Sequence, residues 1–261
     1  MLHMSPLTDA LLSAFALLVG LVSGSFLCCA AERRARGESL RGRSRCPLCG
    51  HTLGARDLVP LGSYLVLRGR CRYCGGKIPA GSFRAEAVSG LLFLSLLWRF
   101  DVSWELLEYA LLFALLLYAS LRDLSEYIIP DGVILGGVLL RCLALAGSPS
   151  PLWEALFALA GGLCVSLPLL MLALGGERAL GKETMGGGDI KLFFMLGLYF
   201  DWKVNLFLLL CACFLGIVFA LAARKGREER IPFGPAIACG AWVAVMVGER
   251  AVSAYLGLFA R

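Results

Sequence analysis

Two aspartates and four cysteines are the residues whose types and spacing suit chemistry. Asp189 follows three glycines in the stretch Thr184 to Leu192, and a hydrophobic run begins directly after it. Glycine has no side chain and tolerates backbone conformations closed to other residues, so a second backbone can approach beside this carboxylate at Gly186, Gly187 and Gly188. Asp123, within Arg122 to Asp131, likewise sits at the edge of an apolar run. Ionisable groups in so apolar a chain are paired or at work. Two carboxylates held close do not both ionise easily; they share a proton and can activate a water for amide hydrolysis. One other role stays open for Asp189, that of a carboxylate favoured at the N-terminus of the helix that follows.

The cysteines form a separate unit. Cys46-Pro-Leu-Cys49 and Cys71-Arg-Tyr-Cys74 are paired CxxC knuckles with 21 residues between them. Four thiolates on two such turns suit tetrahedral zinc in a zinc-ribbon-like arrangement, and a site that fills all four positions from the protein is structural. His51 lies two residues beyond Cys49 as an alternative ligand. A redox CxxC pair is disfavoured, because no thioredoxin-like βαβ pattern surrounds the knuckles. Cys28, Cys29, Cys142, Cys164, Cys211, Cys213 and Cys239 fall in apolar runs, where cysteine acts as a small hydrophobe.

The elements that must position these groups are membrane helices. Of 261 residues, 59% are hydrophobic and 17% charged, and the mean hydropathy is +0.77; a soluble domain carries about 25% charge. Residues 7–31 form a retained first anchor rather than a cleaved signal, since no basic region precedes them and arginines follow. Further apolar runs lie at 85–98, 104–121, 128–146, 152–175, 190–200, 204–223 and 233–259. The fold class is therefore an all-α polytopic membrane protein with about eight transmembrane segments; the run at 190–200 is short enough for a half-helix or re-entrant piece. Three parts follow: a first transmembrane helix (1–31), a basic four-cysteine domain (32–84) and a transmembrane catalytic domain (85–261).

Charge fixes the expected orientation. Residues 32–84 hold twelve Lys/Arg against Glu32, Glu38 and Asp57. With the N-terminus outside and this domain in the cytoplasm, the inner side carries 20 Lys/Arg, including Arg122, Arg178, Lys182, Lys191, Arg224, Lys225, Arg227 and Arg230. Arg99, Arg141, Lys203, Arg250 and Arg261 remain for the outer side. Asp123 and Asp189 then both lie at the cytoplasmic membrane face. Arg68, Arg70 and Arg72 could meet nucleic-acid phosphate, but the domain is tethered between membrane segments and lacks an aromatic stacking series. Nucleic acid is not expected as a partner, and anionic headgroups of the lipid bilayer suit the arginines better.

Taken in order, these stretches resemble the bacterial type IV prepilin peptidases, also called leader peptidase/N-methyltransferases, which are GxGD-type intramembrane aspartic proteases. Gly24 to Leu27 followed by arginines is similar to the family's N-terminal signature. Arg45 to His51, Asp57 to Leu61 and Leu67 to Gly75 resemble its cytoplasmic cysteine domain. Asp123 to Asp131 resembles the first catalytic block, Gly186 to Lys191 the GxGD block, and Ile231 to Pro235 the turn before the last helix. The resemblance implies a plasma-membrane enzyme that removes the basic leader of a prepilin or pseudopilin after a glycine. It implies Asp123 and Asp189 as catalytic residues, and methylation of the new N-terminus with S-adenosylmethionine. Asp131 after Pro130 reads as a helix start, and Glu126 as a solvated loop residue.

Two positions depart from the family: Cys28, where asparagine is common, and Arg122, where an apolar residue usually precedes the first aspartate. A cation beside Asp123 would favour its ionised form, so these changes bear on methylation and pH dependence rather than on peptide hydrolysis. No glycine-rich Rossmann turn marks a nucleotide site, which keeps a peptidase without methylation as an alternative. An ion-coupled transporter using the membrane carboxylates would need mid-membrane placement and repeat symmetry, and the sequence has neither. A membrane-tethered zinc module that only binds a partner would leave both aspartates without a role.

Overall fold

Apolar runs bounded by Pro, Gly and charged residues become helices. A computed structural model describes residues 5–181, 185–222 and 231–259; Lys182, Thr184, Arg224, Lys225, Arg227, Arg230 and Arg261, used above for topology and motif, lie outside them. The chain divides into two compact units, Met1–Tyr118 and Ala119–Arg261.

In the first unit, α1 (Pro6–Ala35) starts where the Ser5 hydroxyl accepts the Thr8 amide at 3.3 Å, with Pro6 inside the first turn. Such a cap satisfies a donor that the helix leaves open. The helix ends with Arg33 and Arg34 in its last turn, where cations favour the dipole. It packs along α3 (Gly81–Phe100) through small residues. A Cβ on Gly20 would sit 2.6 Å from the Ser89 carbonyl oxygen, and one on Gly24 would sit 2.7 Å from that of Ala85. Only glycine allows backbones so close, the usual device where lipid supplies no hydrophobic drive. Between these helices lies the cysteine module, with the short α2 (Gly62–Val66) between its two knuckles. Helix α4 (Trp104–Glu126) runs on through the unit boundary.

In the second unit, α5 (Asp131–Ala146), α6 (Pro151–Leu180), α8 (Trp202–Ala222) and α9 (Gly234–Val243) surround α7 (Gly187–Gly197). A π-helical stretch (Ala244–Gly248) carries α9 into α10 (Glu249–Phe259). The short α7 buries Ile190, Leu192, Phe193, Met195 and Leu196. Three contacts tie down its C-terminal end. The Tyr199 hydroxyl donates to the Gly137 carbonyl at 2.6 Å, and Arg141 Nε donates to that of Leu198 at 2.9 Å. On the other side Gly161 lies so close that a Cβ there would meet the Gly197 carbonyl at 2.5 Å. Asn205, with no exposed surface, donates to the Gly161 carbonyl at 3.0 Å and braces this junction.

Among the described residues, five helices are long and apolar enough to cross a membrane: Pro6–Ala35, Trp104–Glu126, Pro151–Leu180, Trp202–Ala222 and Gly234–Leu258. The sequence suggested about eight segments, but the run at 85–98 lies in α3, which is not among the five, and the runs at 128–146 and 190–200 become helices of 16 and 11 residues. At 1.5 Å per residue, α7 reaches about 16 Å, roughly half of a hydrocarbon core. Leu11, Phe15 and Leu18 on α1, and Leu210, Phe214, Ile217 and Leu221 on α8, are exposed. Apolar surface of that extent belongs in contact with lipid.

Candidate active site and metal centre

The second unit brings Asp123 and Asp189 together. Asp123 is buried near the C-terminal end of α4, and Asp189 stands in the first turn of α7. The Gly234 amide, at the first residue of α9, donates to Asp123 Oδ2 at 2.7 Å. A helix N-terminus offers unsatisfied N–H groups and a partial positive charge, so this bond orients the carboxylate. Gly234 also makes room for it, because a Cβ there would lie 2.9 Å from Asp123 Oδ2. Gly186 does the same for Asp189: a Cβ at that position would sit 3.0 Å from Asp189 Oδ2. Each carboxylate is therefore backed by a glycine.

Among the described residues no such donor reaches Asp189. Among the described residues no side-chain bond caps α7, whose N-cap is Gly186. Asp189 does stand in the first turn of α7, as the helix-N-terminus alternative expects, but makes no capping hydrogen bond there. Helix α7 is too short to span the membrane, and burial there, together with the charge of Asp123, pushes the Asp189 carboxyl up to about 7. That influence requires the two carboxylates to lie within electrostatic reach of each other. Two carboxylates in that relation can share one proton, the arrangement an acid–base pair uses.

The glycines contribute by lacking bulk rather than by special backbone angles. Gly186 has an extended backbone, and neither Gly187 nor Gly188 has a positive φ. A Cβ on Gly188 would meet Ile129 Cβ at 3.1 Å, whereas nothing lies within 4 Å of one on Gly187. Gly188 therefore seats the segment that follows α4 against the start of α7. Tyr127, in that segment, holds φ at +57° and donates its amide to the Asp123 carbonyl at 2.9 Å, ending α4.

Two expectations about neighbouring charges change. Glu126 is not a loop residue; it lies in the last turn of α4 and pairs with Arg122. The spacing is i,i+4, at which helical side chains face each other. Arg122 is thus engaged by Glu126. Asp131 does start α5, and it accepts a 2.6 Å ion pair from Lys191 Nζ, two residues past Asp189. The sequence reading missed Gly234 and Lys191; the glycine inside Ile231 to Pro235 was the only sign of the first.

In the first unit the two knuckles are near-copies of one turn. The Cys46 amide donates to the His51 carbonyl at 2.9 Å and the Gly50 amide to that of Cys46 at 2.9 Å. The second knuckle repeats this with Cys71, Gly76 and Gly75 at 2.8 and 2.9 Å. Gly50 and Gly75 close the turns at φ of +70° and +69°, where glycine is needed. The Sγ atoms of Cys46, Cys49, Cys71 and Cys74 all lie within 4.8 Å of one another, and those of Cys46 and Cys74 are 4.0 Å apart. Zinc–sulfur bonds of about 2.3 Å in a tetrahedron place sulfurs about 3.8 Å apart, so the donor set fits. The Cys49 and Leu48 amides lower the Cys46 thiol to about 7, toward the thiolate that a metal needs. His51 stacks on Tyr73 with ring centroids 3.6 Å apart and lies outside the thiol cluster. Asp57 ties the module together, accepting from Arg72 Nε at 2.8 Å, Tyr73 Oη at 3.1 Å and the Gly54 amide at 3.1 Å. Arg72 holds the Asp57 carboxyl below its ordinary range.

Comparison with known proteins agrees along the chain. Residues 18–100 match the bacterial peptidase A24 N-terminal domain, and residues 110–221 match the type IV leader peptidase family. A prepilin leader peptidase/N-methyltransferase of Bacillus subtilis is 32% identical over 92% of this chain and 96% of its own. Proteins of the same description from Myxococcus xanthus and Stutzerimonas stutzeri are 36% and 34% identical, over 81% and 82% of this chain and 63% and 74% of theirs. No solved structure matches. With both parts of the chain matched and relatives this similar along most of its length, the chain belongs to the type IV leader peptidase family.

Proposed function

We propose that this protein removes the basic leader of type IV prepilins or pseudopilins at the cytoplasmic membrane face, using Asp123 and Asp189 as a proton-sharing pair, and then methylates the new N-terminal residue. The observation that carries the peptidase reading is the pair itself: one carboxylate oriented by a helix N-terminal amide, the other pushed up to about 7 by burial and by the charge of the first. Asp123 takes a proton from water as the oxygen attacks the scissile carbonyl. Asp189 gives its proton to the carbonyl oxygen, which forms a tetrahedral diol. Collapse of the diol breaks the C–N bond, the proton held by Asp123 passes to the leaving amine, and a diol proton returns to Asp189. Gly186, Gly187 and Gly188 leave space for an extended substrate backbone beside Asp189.

The name shared by the relatives, together with the family resemblance, carries the methylation step. S-adenosylmethionine, when bound, supplies the methyl group: the substrate amine bonds to the methyl carbon, the C–S bond breaks with its electron pair left on sulfur, and the amine releases a proton. Zinc on Cys46, Cys49, Cys71 and Cys74 would hold the basic domain in shape and take no part in hydrolysis. The positive-inside distribution supports placing that domain and the dyad on the cytoplasmic side of the plasma membrane.

Co-expression with a prepilin, followed by mass spectrometry of the product, tests both steps. The expected product lacks its leader and carries an added methyl group. Intact prepilin beside folded, inserted protein overturns the peptidase reading. A cleaved but unmethylated product overturns the second step alone.

A further inference from the structure

Four apolar side chains on the basic domain face outward. Leu58, Val59, Leu65 and Val66, on α2 and the loop before it, are 45, 51, 63 and 78% exposed. We propose that these side chains enter the leaflet on the side of the basic domain and contact lipid acyl chains, with Arg56 and Arg68 at the headgroups and Glu86 holding the backbone at that depth. The inference stands on α1 as a membrane-spanning helix and is independent of the peptidase and methyltransferase readings.

The depth follows from the register of α1 on α3. Residues 10–31 of α1 carry no charge between Asp9 and Glu32, and they rise about 33 Å, close to the thickness of a hydrocarbon core. The two helices run antiparallel. A Cβ on Gly20 would meet Ser89 and Gly90, and one on Gly24 would meet Ala85 and Glu86. Further along, Trp98 Nε1 donates to the Ser13 hydroxyl at 3.4 Å. The same register puts Phe83 level with Phe26 and Leu27, about 5–8 Å inside the charged boundary at Glu32. Tyr64 of α2 packs on Phe83, with ring centroids 4.9 Å apart and planes inclined at 31°. The 58–66 segment therefore lies beside the first turn of α3, at the depth of about 5–10 Å where interfacial apolar faces sit. On α1, Val22 and Phe26 are 52 and 63% exposed near that level, so lipid is already the medium there.

Irregular backbone at that depth needs its polar groups satisfied from within the protein. Buried Glu86 accepts the Leu61 amide at 2.8 Å and the Ser82 hydroxyl at 3.0 Å. Leu61, which precedes α2, holds φ at +55°, a conformation that a leucine keeps only where its surroundings fix it. The Ser63, Leu65 and Leu67 amides donate to the carbonyls of Val59, Leu61 and Ser63, each at 3.0 Å. These bonds use polar groups of the segment internally and leave its apolar side chains to the outside. Exposed Arg56 and Arg68 bracket the four residues in sequence. Arginine stems lie along apolar surface while the guanidinium groups stay at the phosphates, so the charge suits an anionic leaflet.

The test uses full-length protein in nanodiscs of phosphatidylcholine and phosphatidylglycerol, with Val66→Trp and, separately, Leu65→Trp as fluorescent probes. Wild-type protein holds five tryptophans, so the added emission is read as the difference from it. Lipid brominated near the top of the acyl chain should quench most of the added emission, and acrylamide in the water little of it. Glu86→Ala in a probe chain should release the segment, so that lipid quenching falls and acrylamide quenching rises. Glu86→Gln keeps an acceptor for the Leu61 amide and should keep the lipid contact. Where Glu86→Ala fails to fold, the two probes in the otherwise wild-type chain decide the matter alone. Added emission quenched by acrylamide and not by lipid puts the segment in water and overturns the inference. Emission reached by neither quencher means that protein covers these side chains, which overturns it equally.

Discussion

The Gly234 amide and the Asp123 carboxylate form a 2.7 Å hydrogen bond across 111 positions of sequence. It brings the N-terminus of α9 to the carboxylate near the end of α4. A Cβ at Gly234 would fall 2.9 Å from Asp123 Oδ2 and push the carboxylate aside. Gly234→Ala should therefore lower the rate of leader cleavage by about 10²-fold, the effect of a displacement near 1 Å in a reacting group. Single-turnover cleavage on folded variant checks this, and a wild-type rate would remove the bond from the account.

The Gly188–Ile129 contact gives a second prediction. Gly188→Val should strongly reduce cleavage, because even the first carbon of a side chain would press on Ile129 at 3.1 Å. Ile129→Ala in the same chain should recover part of the loss by opening that space. A steric cause predicts rescue. A helix-propensity cause predicts none and only about 1 kcal/mol of lost stability.

These two contacts also mark what the sequence could and could not reveal. Asp123, Asp189 and the four cysteines were legible because each carries a local signature: a carboxylate beside glycines or at an apolar edge, and CxxC at ribbon spacing. The Gly234 bond was not, since nothing local to Ile231 to Pro235 names a partner so distant in sequence. Arg122 and Glu126 illustrate another limit. Their i,i+4 spacing shows only if α4 is carried to Glu126, and the apolar run stops at 121. The helix continues because its last turn closes on polar pairs rather than apolar burial. The run at 190–200 already read as short enough for a half-helix, and α7 has 11 residues, but nothing in it named α5, α6 and α8 as its packing partners. The Asp57 contacts with Arg72 and Tyr73 were equally hidden, although every residue in them lay in a recognised stretch.

The pH dependence follows from Asp189. Burial first, and the Asp123 charge second, raise its carboxyl to about 7. It therefore keeps its proton up to neutrality and loses it as pH rises further. The unfolded chain ionises this group from about 3.8, so the stability linked to it falls as pH rises from there to about 7 and changes no further above. Cleavage should fall as pH rises through about 7. A pH–rate profile on purified enzyme checks this, and a rate still climbing well above that point would contradict it.

Metal removal separates structure from chemistry. Cys71→Ser leaves an incomplete tetrahedron and should raise protease sensitivity in residues 32–84. A chelator should stop cleavage only as that domain unfolds, and methylation should fail first. Immediate, reversible loss of cleavage with the domain intact would place the metal in the reaction, and folded, active protein without zinc would end the structural role.

The central claim is that Asp123 and Asp189 work as one pair. Its most direct measurement is the cleavage rate of a prepilin by purified, folded Asp123→Asn and Asp189→Asn variants, with Asp131→Asn as the control. Each of the first two exchanges removes half of the proton-sharing pair and should abolish cleavage. Asp131, exposed and paired with Lys191, should tolerate the change and keep substantial activity. Wild-type cleavage by Asp123→Asn or Asp189→Asn would contradict the account.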